Sequence, residues 1–226
     1  HAEFTSTPND DATSISVTAP FWRADIHIVE DIIEEIGRLN GFDTIEPTLP
    51  LRDFTAVSPS GFDRLRARLR QVLARAGANE ILTYSFVHGD LLQKAGQKPE
   101  DSYKITNSLS PDLQYYRQTL TPSLLNHVHS NIKNGFDSFA LFELNKAHSK
   151  LTGLNEEDVP KEFDYLALTI ANKNAPAGAP YYAAKKFLDY IASSLQLEFV
   201  YAPIDKDPGY PESAPFEYRH SAMVSD

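Results

Sequence analysis

The chain has 226 residues, 42% of them hydrophobic, with 21 Lys and Arg against 31 Asp and Glu, a formal net charge of −10 and a pI near 5.1. That length and apolar content suffice for one large domain, or one domain with part of another, while the acidic balance argues against a module whose main work is gripping phosphates through a basic surface. The absence of cysteine excludes disulfide scaffolds, thiolate zinc sites and a cysteine nucleophile. No run approaches the roughly 18 apolar residues of a membrane span, and the polar opening is unlike a secretory signal, so no membrane association and a cytoplasmic setting are expected.

Residues 1–12 are polar and read as frayed, after which Thr13 to Thr18 alternates with period two and predicts a half-buried strand ended by Pro20. Between Trp22 and Phe42 lies the most informative segment, four carboxylates threaded through an amphipathic pattern that closes on Asn40-Gly41. Asp25 stands where an N-cap is expected and Gly41 where the glycine past the helix end is expected. On that helix Asp31, Glu34 and Glu35 share a surface with Asp25 one turn upstream. Val29, Ile32, Ile33, Ile36 and Leu39 take the complementary face, which is expected to dock and hold the acids outward. Such oxygen-rich patches suit hydrated magnesium, and the competing reading is plain capping and dipole compensation.

Residues 43–60 carry Pro47, Pro50 and Pro59 with little periodicity and read as a connector, which places a domain boundary near residue 50: 1–50 and 51–226. From Phe62 the positions Leu65, Leu69, Val72, Leu73 and Ala76 keep helical spacing up to Gly77, with Arg64, Arg66, Arg68, Arg70 and Arg75 alongside. Glu80 to Val87 reads as one strand and Asp90 to Lys94 as a short helix. Thr121-Pro122 opens a helix that runs through Leu124, Leu125, Val128 and Ile132. Ser138–Leu144 and Tyr165–Ile170 have strand length, Tyr181–Leu195 is helical in spacing, and Leu197–Tyr201 is a further strand. Adjacent strands without crossover helices predict an α+β architecture, an antiparallel or mixed sheet with helices packed on it. His1 is not Met and the last residues enter a strand-like run, so the chain reads as a piece of something longer.

Two blocks carry a resemblance. Pro20-Phe21-Trp22-Arg23-Ala24-Asp25, Glu30 to Glu35, Arg38 and Gly41-Phe42 form the first. Asn107 to Ser110, Tyr116-Arg117, Leu120 to Leu125, Asn131 and Leu141-Phe142-Glu143-Leu144 form the second. In order and spacing they resemble the beta subunit of bacterial-type phenylalanyl-tRNA synthetase, with Ser108 standing where proline is usual. The resemblance implies part of a winged helix-turn-helix-like domain, followed by a catalytic-like core with the antiparallel sheet of class II aminoacyl-tRNA synthetases. It implies a structural piece of phenylalanine-tRNA ligase that supports ATP-dependent charging of tRNA(Phe) with phenylalanine, with ATP used only in the parent complex. Catalysis belongs to the alpha subunit, the partner in an alpha2 beta2 heterotetramer. By the same resemblance, Asp25, Asp31, Glu34 and Glu35 would form a magnesium position shared with alpha. Arg64, Leu65, Arg68, Leu69 and Val72 would lie on the helix that meets it.

Two rivals come from other classes: a magnesium-dependent phosphohydrolase using the acidic helix, and a nucleic-acid-binding module. Neither a glycine-rich phosphate loop nor a nucleophile elbow is present. The arginine with which class II enzymes grip the ATP α-phosphate has no counterpart in Leu141-Phe142-Glu143-Leu144-Asn145-Lys146, since lysine cannot make the bidentate contact. No catalytic residues are therefore expected.

Overall fold

The computed structural model describes residues 3–11 and 13–225. The chain divides into two compact units, His1–Val57 and Ser58–Asp226, each with its own architecture.

The first unit is a hairpin followed by one helix. Strand β1 (Thr5–Pro8) pairs antiparallel with β2 (Ile15–Thr18), Thr5 opposite Thr18. The turn is tied by Asp11, whose Oδ1 accepts from the amides of Thr13 and Ser14, and by the Asn9 amide, which donates to the Ser14 carbonyl. Of the residues expected to fray, Thr5–Pro8 are therefore paired, while residues 1, 2 and 12 lie outside the described residues. Strand β1 is exposed along its length, so it needs no apolar alternation, and the turn chemistry sets its register.

Helix α1 runs Val29–Asn40, and Asp25 does not cap it. A turn in which the Arg23 amide donates to Pro20 O sets Asp25 ahead of the helix, and Ile28 takes the cap position. Asp31 reaches back instead: its Oδ2 accepts from the amides of His27 at 2.7 Å and Ile28 at 2.9 Å, the acidic half of a capping box. Gly41 ends the helix at φ 89°, a conformation that glycine adopts without a Cβ penalty.

The expected burial of α1 is not what the structure shows: most of its apolar face is open, and of its acids Glu35 alone is buried. Val29, Ile33 and Ile36 are 71%, 60% and 57% exposed, whereas Glu35 is 9% exposed. An amphipathic pattern says which residues share a face, and the neighbours decide which face is covered. Here two arginines close over the acid, and the isoleucines line an open groove with Ile15 and Val17 of β2.

In the second unit, helix α2 (Gly61–Arg75) opens on a complete capping box: Ser60 Oγ accepts from the Asp63 amide at 3.0 Å, and Asp63 Oδ2 accepts from the Ser60 amide at 3.3 Å. Then come β3 (Asn79–Glu80), β4 (Phe86–Val87), α3 (Gly89–Lys94), β5 (Tyr115–Tyr116) and α4 (Thr121–Lys133). They are followed by β6 (Ser138–Ala147), β7 (Phe163–Asn172), α5 (Ala179–Leu195), β8 (Val200–Pro203) and β9 (Ala222–Ser225).

The main sheet has the order β3-β6-β7 and is mixed rather than wholly antiparallel: β3 runs parallel to β6, and β6 pairs antiparallel with β7 from Ser138–Asn172 to Ala147–Phe163. Pairs β4–β5 and β8–β9 stand as separate ladders. The single strand expected over Glu80–Val87 is broken. Between β3 and β4, Thr83 turns its amide to Glu143 and Ser85 O accepts from the Arg117 amide, so long-range partners take the groups a ladder would use.

Alternation along β6 builds two faces. Ala140, Phe142 and Leu144 pack with Val72, Leu73 and Ile191, the core beneath α2 and α5. Glu143 faces the other way. At the far end, Gln97 Nε2 donates to Thr119 Oγ1 and, at 2.8 Å, to Pro211 O. Gly96, at φ 73°, leaves so little room that a Cβ would stand 2.9 Å from the Ala214 carbonyl oxygen. The segment after β8 is thereby clasped to the end of α3.

Candidate functional site

Two places hold the residues on which function is expected to rest, and a third emerges from the structure. The first is α1. Arg23 donates from Nε to Asp25 Oδ1 at 2.9 Å and from Nη2 to Asp25 Oδ2 at 2.7 Å, and the same Nη2 reaches Glu35 Oε1 at 3.0 Å. Arg38 Nη2 donates to the other Glu35 oxygen at 2.7 Å. The arginine bonds hold both carboxyls well below the ordinary range, each to about 2: Asp25 through Arg23, and Glu35 through Arg23 and then Arg38. Asp31 is lowered by the amides of His27 and Ile28. Glu34 is exposed and joins no ion pair among the described residues.

The four acids therefore hold different partners and do not form one ligand shell. Among the described residues no group of three or more His, Asp or Glu is arranged to hold a metal ion. Magnesium demands near-ideal octahedral oxygen geometry, and the oxygens of Asp25 and Glu35 are already taken by N–H donors. In this arrangement the residues do not fit the cation.

The second place is α2. Val72 is buried in this unit's own core and Leu69 packs against that core, so neither is free to meet a partner; both lie on the stripe facing the sheet and α5. Leu65 and Phe62 are exposed. Arg64 Nη1 donates to Pro59 O and Arg68 Nη2 to Ser194 O. The outward surface of the helix is therefore its N-terminal half.

The third was not foreseen as a site. Arg117 and Glu143 are both fully buried. Arg117 Nη2 donates to Glu143 Oε1 at 3.0 Å; Nη1 donates to Thr83 Oγ1 at 2.5 Å, and that hydroxyl donates on to Glu143 Oε2 at 2.7 Å. Asn145 Nδ2 and the Thr83 amide complete the carboxylate, and Lys146 O and Ser123 Oγ take the remaining guanidinium donors. Burial pushes the Glu143 carboxyl up, but the bonds from Arg117, Thr83 and Asn145 outweigh it and leave it below its usual value. A buried pair persists only when its donors and acceptors are satisfied in this way.

An open cleft of about 660 Å³ lies over this network, lined by Leu82, Tyr84, Phe86, His88 and His127, with Thr83 and Ser123 among its walls. Both hydroxyls are engaged with Arg117, and the guanidinium itself is closed off beneath. The sequence held one signal for this: a lone glutamate in the apolar run Phe139–Leu144 must find a buried cation or distort the strand.

Known proteins place this geometry. The family model described as tRNA synthetase B5 domain matches residues 2–42, and the one described as phenylalanyl tRNA synthetase beta chain CLM domain matches residues 45–216. The phenylalanine–tRNA ligase beta subunit of Geobacter sulfurreducens is 31% identical over 79% of the chain and 22% of its own length; that of Anaeromyxobacter dehalogenans is 30% identical over 85% and 25%. That of Brucella abortus is 36% identical over 66% of the chain and 18% of its own length. The chain thus spans about a quarter or less of these relatives. Among solved structures, two of pyrrolysyl-tRNA synthetase from Desulfitobacterium hafniense superpose with TM-scores of 0.50 and 0.52, at 15% identity, over 62% and 63% of the chain and 48% and 50% of theirs. That likeness is one of fold alone. With a family model covering most of its length, the chain belongs to the phenylalanyl-tRNA synthetase beta chain family, carrying matches to its B5 and CLM domains.

Proposed function

We propose that the chain is a non-catalytic scaffold of a phenylalanine-tRNA ligase: its second unit keeps a synthetase-like sheet but supplies no group for activating an amino acid. The observation that carries this reading is the closed Arg117–Glu143 pair. It spends on a carboxylate of the same chain the only arginine in the middle of the second unit, which is satisfied on every donor and fully buried. An arginine that grips phosphate must present its fork to the ligand. Lys146, the cation on β6, is ion-paired with Glu162.

In the parent assembly the chain would dock an alpha subunit through the exposed N-terminal half of α2, with Phe62 and Leu65 supplying apolar area and Arg64 and Arg68 the rim. An alpha2 beta2 heterotetramer acting in the cytoplasm on tRNA(Phe), with ATP bound only by alpha, is the setting that fits. The hairpin ahead of α1 supports a winged helix-turn-helix-like reading of the first unit.

Amino-acid-dependent ATP–pyrophosphate exchange tests the scaffold reading: the chain alone is expected at background, and exchange with phenylalanine above background would refute it. Co-elution with an alpha subunit on a sizing column tests docking, and clean separation at micromolar concentrations counts against it. The phosphohydrolase rival loses its basis, because the acids it needs are bound to arginines and amides. Nucleic-acid binding is opposed by charge: His1–Val57 holds eleven carboxylates against three arginines, a formal −8.

A further inference from the structure

We propose that the guanidinium of Arg23 occupies the position a divalent cation would take on the acidic helix, so that the Asp25–Glu35 cluster is neutralised from within and the first unit holds its fold without magnesium. The inference stands apart from the scaffold reading and concerns only residues 4–38.

The geometry is a closed knot. Both oxygens of Asp25 accept from Arg23, and the two oxygens of Glu35 are divided between Arg23 and Arg38. Two carboxylates face two guanidinium groups, which leaves no residual charge at the centre to draw in a cation. Asp31 spends Oδ2 on two helix amides, and releasing it would leave the amides of His27 and Ile28 without a partner. Of the four acids only Glu34 is unengaged, and a single exposed carboxylate does not hold an ion that parts reluctantly with its water.

Two further features keep Arg23 in place. Its guanidinium carbon lies 5.5 Å from the centroid of the Phe4 ring, a cation–π contact. The group is planar, permanently charged and able to span two carboxylates with one fork, which a point ammonium cannot do. A magnesium ion would have to displace a guanidinium and then rebuild its shell from oxygens fixed at hydrogen-bonding rather than coordination distance.

The test uses the whole 226-residue chain. Thermal melting is followed while magnesium chloride replaces sodium chloride at constant ionic strength, alongside calorimetric titration with magnesium chloride. The expected result is an unchanged midpoint and no saturable heat; a saturable rise in midpoint or stoichiometric uptake at millimolar magnesium overturns the proposal. A second arm compares Arg23→Gln and Arg23→Lys. Both are expected to melt below the parent chain, with Arg23→Lys failing to rescue. An Arg23→Lys variant that melts with the parent would show that bridging by the fork is not what holds the segment. Manganese as a paramagnetic probe gives a third readout: broadening scattered over surface carboxylates is expected, and broadening confined to the amides of residues 25–35 refutes the inference.

Discussion

Glu143 is where a single atom change has the largest expected effect. Glu143→Gln leaves the Arg117 guanidinium buried without a counter-charge, and breaking such a pair costs about 3–5 kcal/mol. Urea denaturation checks this; a loss under about 1 kcal/mol would mean that water reaches the site. Exchanging both partners for apolar residues, Arg117→Met with Glu143→Leu, is expected to cost far less than the single change, since no orphaned charge remains. His148 governs a different condition. Burial pushes its imidazole below the ordinary 6.5, against the pull of the Glu162 carboxylate, and its Nδ1 has no hydrogen-bond partner among the described residues. The unfolded chain therefore takes up the proton more readily than the folded one, so this contribution is present above about pH 6.5 and is lost as pH falls below it. His148→Phe keeps the edge-on contact with Tyr116 and is expected to flatten the melting temperature between about pH 7 and pH 5.5 relative to the parent. Equal slopes would remove His148 as the source. Asp25 and Glu35 act in a lower window: with folded values near 2, their share is present above about pH 4 and lost as pH falls toward 2.

Helices α2, α4 and α5 and strands β6 and β7 were legible because their signals are local: period, caps and length. What escaped was decided at a distance. The ladder expected through Thr83 fails because its amide and hydroxyl answer a glutamate sixty residues on. The covered side of α1 was misread because Arg23, twelve residues before Glu35, supplies the cover, and spacing carries no mark of that partner. Asp25 was misplaced as a cap because the turn at Pro20–Arg23 delays the helix to Val29. Val72 and Leu69 were assigned to an outside partner although the apolar stripe of α2 first serves its own sheet. Two changes test elements. Ser60→Ala removes the N-cap acceptor of α2 and is expected to cost about 0.5–2 kcal/mol in equilibrium denaturation; no change would mean that this first turn is not held by its cap. Gly96→Ala adds a Cβ both at positive φ and against the Ala214 carbonyl, for a loss above about 1 kcal/mol. An unchanged midpoint in the same measurement would show that the clasp yields freely.

Charge is distributed unevenly over the chain. Of the net −10, the first unit holds −8 and the second −2, so self-repulsion concentrates in the smaller unit, and salt is expected to favour it more than its neighbour. The stretch 45–57 joins them without regular structure and with Leu49, Leu51, Phe54 and Val57 almost fully exposed. Limited proteolysis is expected to cut there first and to leave a resistant piece beginning near residue 58; first cleavage inside β6 or β7 would contradict the two-unit division. Among the described residues no helix is long and apolar enough to cross a membrane. The clasp of Gln97 on Pro211 sets a clock on biosynthesis. Its two ends lie 114 residues apart, so at about 5–20 residues per second a ribosome needs roughly 6 to 23 s after making the first before the second exists. Until then the Gln97 amide lacks the acceptor that Pro211 will supply, and water takes that place.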